Sequence, residues 1–407
     1  MLTGDFSHAG AFSGAGDDTG KAIATDSAGN VYSTGYFYGT ADFDPGAGTF
    51  NLTSAGSYDV FISKLTQEFL FKTTGIGADQ IVLRRKGPNL EIFDTLKNQV
   101  VAVSKLSFLL GVQITGASNQ ADRLTIDYPF GGSFSLPQGI RFSGGTGGGD
   151  ILVIAGRSID VASYLPSLTG AGASVFEINS DVISMTGVES AILSGVGSLT
   201  VETQGSADAL VANPATGYNG AIGTRISGTS GGVAIKPLVF DRIPSVTIDL
   251  GANDAALASS NDSLTFAANS LEAARLKYLT VSTGKGADVL TVNNADLGLP
   301  ASGGSFQFLG GTGVDRLVAS GNTDLQINDA RRISGAGGKI VFDDIERATV
   351  LEQDTILYDV SDEISIKALG GDDLIAIDLT FTILGVVDGG DGLDTCTAPA
   401  AWTKVSC

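Results

Sequence analysis

The chain has 407 residues, more than one ordinary domain, and its 44 acidic against 24 basic side chains leave a net charge of −20. Binding nucleic acid by neutralising phosphates needs a basic face, so that class of function is excluded. With 56 glycines but only 10 prolines the sequence is neither collagenous nor a proline-rich linker, and 43% hydrophobic residues suffice for a real core.

No stretch approaches the ~18 consecutive apolar residues that a spanning helix requires, so no transmembrane segment is expected. The start, Met1-Leu2-Thr3-Gly4-Asp5, lacks the basic and apolar regions of a secretory signal, and no targeting segment is expected there.

Residues 17 to 65 read as a small antiparallel unit. Short β-rich runs at Ala22 to Thr25, Val31 to Tyr36, Thr49 to Leu52 and Val60 to Leu65 are separated by turn clusters. The Asp26-Ser27-Ala28-Gly29-Asn30 segment suits a tight hairpin, because Gly29 and Asn30 tolerate positive φ. The stretch DSAGNVYSTGYF from Asp26, the DFDPG segment from Asp42 and the closing GSYDVFISKL from Gly56 resemble the SBBP repeat, a bacterial β-propeller blade. That resemblance implies a propeller-type blade over residues 1–66. Propellers use several blades and this chain has one, which leaves apolar faces and strand edges for another surface to cover.

From about residue 70 the texture changes to apolar β-runs punctuated by glycine and aspartate. Asp-x-Leu or Asp-x-Ile recurs at Asp79, Asp122, Asp150, Asp208, Asp262, Asp288, Asp315, Asp354 and Asp372, usually with glycine just upstream. A longer repeat is superposed: ADRLTID at 121 matches ADVLTVN at 287, and GGTG at 144 matches GGTG at 310, both at an offset of 166 residues (287 − 121 and 310 − 144). Asp262, Asp288 and Asp315 follow one another at 26 and 27 residues, one coil of a stacked fold. The expectation is an all-β chain: a right-handed parallel β-helix or solenoid behind the N-terminal blade, with tandem β-sandwich modules as the alternative. Its divisions are 67–200, 201–360 and a C-terminal set of turns at 361–407. One short helix is expected at Leu271 to Tyr278, capped by Ser270.

GGTGVDRL from Gly310 and GGDGLDTC from Gly389 resemble the glycine-aspartate nonapeptide of RTX β-rolls. The resemblance implies Ca²⁺, with Asp315, Asp372, Asp373, Asp391 and Asp394 as ligands, since carboxylates and glycine-freed carbonyls are hard oxygen donors. The competing reading is structural: each aspartate caps its turn by accepting backbone N–H groups. Cys396 and Cys407 have no histidine or second cysteine pair beside them for zinc. A disulfide closing the tail is the economical reading over two free thiols, and it points to an oxidising, extracellular or cell-surface setting.

Catalysis has little to work with. The lone histidine, His8, precedes the blade, which removes a Ser/His/Asp triad from the main body. A polysaccharide lyase or hydrolase needs a base or two carboxylates at a fixed separation. Asp343, Asp344 and Glu346, Arg331-Arg332 and Arg84-Arg85-Lys86 are the candidates, with Trp402 the single tryptophan for sugar stacking. Such repeat-rich acidic chains are similar to planctomycete-like surface proteins and adhesins. The function expected is structural or adhesive, with self-association, other surface proteins or a glycan as partners. A calcium-stabilised carbohydrate-binding module and a polysaccharide-processing enzyme are the alternatives.

Overall fold

The computed structural model describes residues 13–26, 31–43, 50–65, 68–73, 77–169, 173–254 and 260–293, and between 305 and 405 the strands named below with a few residues near 400. Strand makes up 59% and helix 3%, in large mixed sheets with no closed barrel among the described residues. No helix among them is long and apolar enough to cross a membrane. The chain divides into two compact units, one of residues 1–69 with 108–111, the other of 70–107 with 112–407.

In the first unit the strands Thr19–Thr25, Val31–Asp42 and Asn51–Leu65 are antiparallel, with Val31–Asp42 in the centre and Ser13–Gly14 paired to its far end. Thr25 stands opposite Val31, which brings the two ends of the expected hairpin together, although residues 27–30 lie outside the described residues. Thr49 to Leu52 and Val60 to Leu65 were expected as separate strands, and here the structure corrects the sequence. Asn51, Leu52 and Val60 to Leu65 all belong to one 15-residue strand, while Thr49 lies outside the described residues. Register jumps from Tyr38 opposite Tyr58 to Thr40 opposite Thr53, and Gly39, at φ 77°, absorbs the jump while its amide donates to Ser54 Oγ at 2.9 Å. One face of this sheet buries Phe37, Ala41 and Phe61, with the Phe43 ring set 5.0 Å from Phe37 and 5.1 Å from Phe61.

The second unit is built on parallel ladders. Gln80–Lys86, Arg123–Asp127, Ile151–Ala155, Ser190–Ser194 and Leu238–Asp241 lie side by side in that order. Inward residues therefore stack in register: Leu83, Ile126, Ile154, Leu193 and Phe240 form one fully buried row. In the same sheet, Asp208–Thr216 leads a second parallel run through Ser263–Phe266, Val289–Asn293, Arg316–Ser320, Lys339–Asp343, Glu363–Lys367, Leu384–Asp388 and Thr403–Val405. A second large sheet runs in parallel from Ser198–Glu202 through Ser245–Asp249, Tyr278–Ser282 and Ser305–Gly313 to Arg332–Ala336 and Leu357–Tyr358. There Val201, Ile248, Val281 and Phe308 make a matching buried row. A small parallel sheet joins Asp324–Ile327, Arg347–Val350, Leu374–Ile377 and Thr395–Thr397. Ser198–Glu202 runs through 200/201, and Lys339–Asp343 pairs with Glu363–Lys367 on the far side of 360/361, which itself lies outside the described residues.

Antiparallel excursions interrupt the parallel order. Asn89–Asp94 and Gln99–Lys105 continue the first sheet beyond Gln80–Lys86. Ser174–Ile178 lies antiparallel between Val161–Leu165 and Asp181–Thr186. The hairpin of Asp208–Thr216 and Ile222–Ser230 brings Ala215 and Tyr218 onto a stripe of Val153, Ile192 and Val239. That cover explains why Ile151–Ala155 reads ILVIA with no polar alternation: both of its faces are packed.

The expected helix at Leu271 to Tyr278 is not formed. Asn269 and Arg275 have φ of 61° and 69°, and the amides of Ser270, Glu272 and Leu276 bond three residues back, as separate turns. Tertiary burial of Leu271, Ala273 and Leu276 overrides the helical propensity, and Tyr278 already belongs to a strand.

Candidate functional site

Six of the nine recurrent aspartates lie among the described residues, Asp315, Asp354 and Asp372 lying outside them, and the six occupy one kind of place, the corner immediately before a parallel strand or its first residue. Asp79, Asp122, Asp150, Asp262 and Asp288 each precede a strand and Asp208 opens one, with an inward Leu or Ile two residues further on. The structure joins them rung to rung. The Asp79 amide donates to Asp122 Oδ1 at 2.9 Å and the Asp122 amide to Asp150 Oδ1 at 2.8 Å. The Asp150 amide donates in turn to Glu189 Oε2. In the second run the Asp208 amide donates to Asp262 Oδ1 and the Asp262 amide to Asp288 Oδ1, both at 2.8 Å.

Two columns of carboxyl groups result; the six aspartates are buried, while Glu189 at the end of the first column is exposed. Asp122 Oδ2 also accepts from the Ala117 amide at 2.7 Å and from Thr73 Oγ1 at 3.2 Å. Asp122 thus caps its own corner as turn-capping aspartates do and serves a neighbouring rung as well, whereas Asp150 and Asp262 accept only the amide of the neighbouring rung. Glycine is required at some of these corners by close approach. A Cβ on Gly116 would stand 2.6 Å from the Gly144 carbonyl oxygen and 2.7 Å from Asp122 Oδ2, and one on Gly144 would strike the Gly187 carbonyl.

Hydrogen bonding is incomplete on the other side of these groups. The Oδ2 atoms of Asp150, Asp208 and Asp262 are buried without a partner. Burial pushes the Asp150 carboxyl up to about 6, with Glu189 and Asp122 as nearby charges. Burial also pushes Asp262 up to about 9, with Asp208, Asp254 and Asp288 adding to the effect. Asp208 and Asp254 are raised by burial too. Among the described residues no group of three or more His, Cys, Asp or Glu side chains is arranged to hold a metal ion.

The sequence motif marked six members of these columns and missed Glu189, which takes the same part with a longer side chain and no Asp-x-Leu signature. Of the expected metal ligands, Asp315, Asp372, Asp373, Asp391 and Asp394 all lie outside the described residues, as do Cys407, His8, Arg331, Asp344 and Glu346. Cys396 sits in Thr395–Thr397, opposite Ile375. Arg332 begins one strand and Asp343 ends another.

The Arg84-Arg85-Lys86 cluster is engaged in packing. Arg84 lies over the rings of Phe93 and Phe130 at 4.1 and 4.4 Å and pairs with Glu91 at 3.5 Å. Lys86 is 3.6 Å from the same Glu91, while Arg85 donates to the carbonyls of Gly87 and Ser133.

A different surface is open in the first unit. Tyr32, Thr34, Tyr36 and Tyr38 alternate onto one face of the central strand, opposite Lys64, Ile62, Val60 and Tyr58. Val60 and Ile62 are 76% and 79% exposed, and Tyr38 and Tyr58 48% and 49%. The Tyr58 ring lies 5.2 Å from Tyr36 and 5.6 Å from Tyr38, and Lys21 and Lys64 lie over Tyr36 and Tyr32 at 4.9 and 5.6 Å. The strand runs read from the sequence, Val31 to Tyr36 and Val60 to Leu65, contain Tyr32, Thr34, Tyr36, Val60, Ile62 and Lys64 but stop short of Tyr38 and Tyr58, and they do not separate the two faces. Strict alternation through Tyr32, Thr34, Tyr36 and Tyr38 was the available signal.

No protein-family model matches the chain, and no curated protein or solved structure is significantly similar to it.

Proposed function

We propose that the chain is an extracellular structural or adhesive repeat protein that self-associates through its N-terminal sheet. The observation that carries this reading is the face bearing Tyr38, Tyr58, Val60 and Ile62, apolar and aromatic with lysines at its border. Faces of that composition, depleted of charge at the centre, are what protein interfaces use. Asn51–Leu65 adds a long edge that, among the described residues, pairs on one side only, and open edges add strands from other chains. The resemblance of residues 17–65 to a propeller blade supports the same reading, because a blade packs through its faces.

For the second unit we infer a parallel β-helix, right-handed by the general rule for parallel crossovers. Its support is the parallel registers, the buried aliphatic rows and the aspartate rungs that recur at the starts of six strands. A Cys396–Cys407 disulfide belongs to the same extracellular proposal.

The test is a Val60→Lys, Ile62→Lys double variant. Sedimentation velocity and electron microscopy of the full chain are expected to show assemblies that the variant lacks, with its far-UV circular dichroism unchanged. Equal size distributions for the two proteins defeat the reading. A carbohydrate-binding alternative draws on the tyrosine row of this face, since aromatic rings stack on sugars. Glycan-array binding by the wild type that the double variant loses, with no self-association in either, favours it.

A further inference from the structure

In the second column the carboxyl of Asp262 is bound on one oxygen only. Its Oδ1 accepts the Asp208 amide at 2.8 Å, and Asp208 and Asp262 are 1% and 2% exposed. The Oδ2 atoms of both are buried and unpartnered.

The charged groups that act on Asp262 come from three directions, and all are acids: Asp208 at the head of its strand, Asp254 after the 3₁₀ turn Gly251–Asn253, and Asp288 on the next rung. Lys285, the neighbouring cation, is engaged elsewhere. Its amide donates to Asp254 Oδ2 at 2.7 Å and its Nζ to the Asp254 carbonyl at 3.3 Å. A buried carboxylate without a counter-cation, beside other carboxylates, is strongly disfavoured against its neutral form.

We propose that Asp262 is kept as the neutral acid in the folded protein, so that the joint between the Asp208, Asp262 and Asp288 corners retains a proton, holds at neutral and acid pH, and loosens in alkali. Oδ1 stays the acceptor for the Asp208 amide, and the proton resides on Oδ2, the oxygen without a donor. The elevation of Asp262 to about 9 agrees with this geometry. The folded-state value lies above the ordinary ~3.9 of an unfolded aspartate. The folded state therefore binds the extra proton, and the associated stability is complete below the ordinary value and lost as pH rises through about 9. Asp150 supplies a second, smaller contribution that is lost as pH rises through about 6.

Infrared spectroscopy of the full-length protein tests this directly. A protonated-carboxyl stretch is expected at about pH 7, disappearing as pH approaches about 10, and absent at about pH 7 in Asp262→Asn. Thermal melting at the same two values gives the second readout. The wild-type midpoint is expected to fall on alkalinisation by distinctly more than that of the variant, because titration of tyrosines and lysines is common to both.

Absence of the band in the wild type, or an equal fall in the two proteins, overturns the proposal. So does a wild-type midpoint at about pH 7 that EGTA lowers and added Ca²⁺ restores while the variant's does not move, because the unpartnered oxygens would then hold a cation. Should Asp262→Asn fail to fold, titration of the wild-type band decides alone.

Discussion

The amide of Asp208 lies 2.8 Å from Oδ1 of Asp262, although 54 residues separate them in the sequence. Hydrogen bonds of this kind tie corners that ordinary strand pairing does not reach. Strand ladders hold the straight segments of the second unit, and at these corners amide-to-carboxyl bonds add to backbone bonds such as that from the Ile151 amide to the Asp122 carbonyl.

Within the described columns Asp122 accepts three hydrogen bonds. Replacing it with alanine removes the acceptor for the Asp79 amide, the Ala117 amide and Thr73 Oγ1. A buried donor left unmatched costs about 1–3 kcal/mol, so Asp122→Ala is expected to lose about 3 kcal/mol or more in urea unfolding, and Asp122→Asn distinctly less. A loss under about 1 kcal/mol for the alanine variant would show that these bonds contribute little net stability.

The aliphatic rows give a sharper contrast. Ile154 is fully buried between Ile126 and Leu193, whereas Ile159 in the following turn is 74% exposed. Truncating the first to alanine is expected to cost about 2–5 kcal/mol through lost contact and a cavity. The same change at Ile159 is expected to stay within about 0.5 kcal/mol, measured by denaturant midpoint.

Gly144 and Gly56 make a pair for the corner geometry. A methyl group on Gly144 meets the Gly187 carbonyl and stands 2.6 Å from Asp150 Cβ, while one on Gly56 meets nothing within 4 Å. Gly144→Ala is expected to destabilise by about 1–3 kcal/mol or more, and Gly56→Ala to be near neutral. Equal melting temperatures for the two variants would mean that the corners yield easily.

Acid exposes a different set of groups. Burial by itself would raise Asp94, yet the Lys97 ammonium at 2.7 Å and the amides of Lys97 and Leu96 hold it below the usual range. Asp160 follows the same pattern, raised by burial but held down overall by Arg157 and Asn179. A depressed carboxyl contributes stability above its unfolded value of ~3.9 and loses it as pH falls through the lower folded value. Lys97→Ala is therefore expected to shift the acid limb of the stability curve toward higher pH, read by circular dichroism along a pH series.

Much of the second unit is legible in the sequence because its periodic signal is strong. Asp-x-Leu marks a corner followed by an inward aliphatic, and the interval from Asp262 to Asp288 separates two rungs of one column. The antiparallel excursions are not legible: Ser174–Ile178 and Ile222–Ser230 carry the same β-rich composition as the parallel strands, and only pairing partners distinguish them. Glu189 escapes a search for aspartate because its role is fixed by reach toward the Asp150 amide rather than by residue type. Leu271 to Tyr278 has helical spacing, but its apolar residues are used one by one against neighbouring strands. At the blade, a turn-like Ser54-Ala55-Gly56 hides the continuity of Asn51–Leu65, since a bulge within a strand and a turn between strands use the same residues.

The five rung-to-rung bonds among the described residues of the columns point one way, from an earlier amide to a carboxyl that comes 26 to 54 residues later. On a ribosome, each corner therefore waits for its successor: Asp208 has emerged and Asp262 has yet to be translated. Completion is directional, and a nascent chain interrupted between them presents an uncapped end to whatever strand or chaperone is nearby.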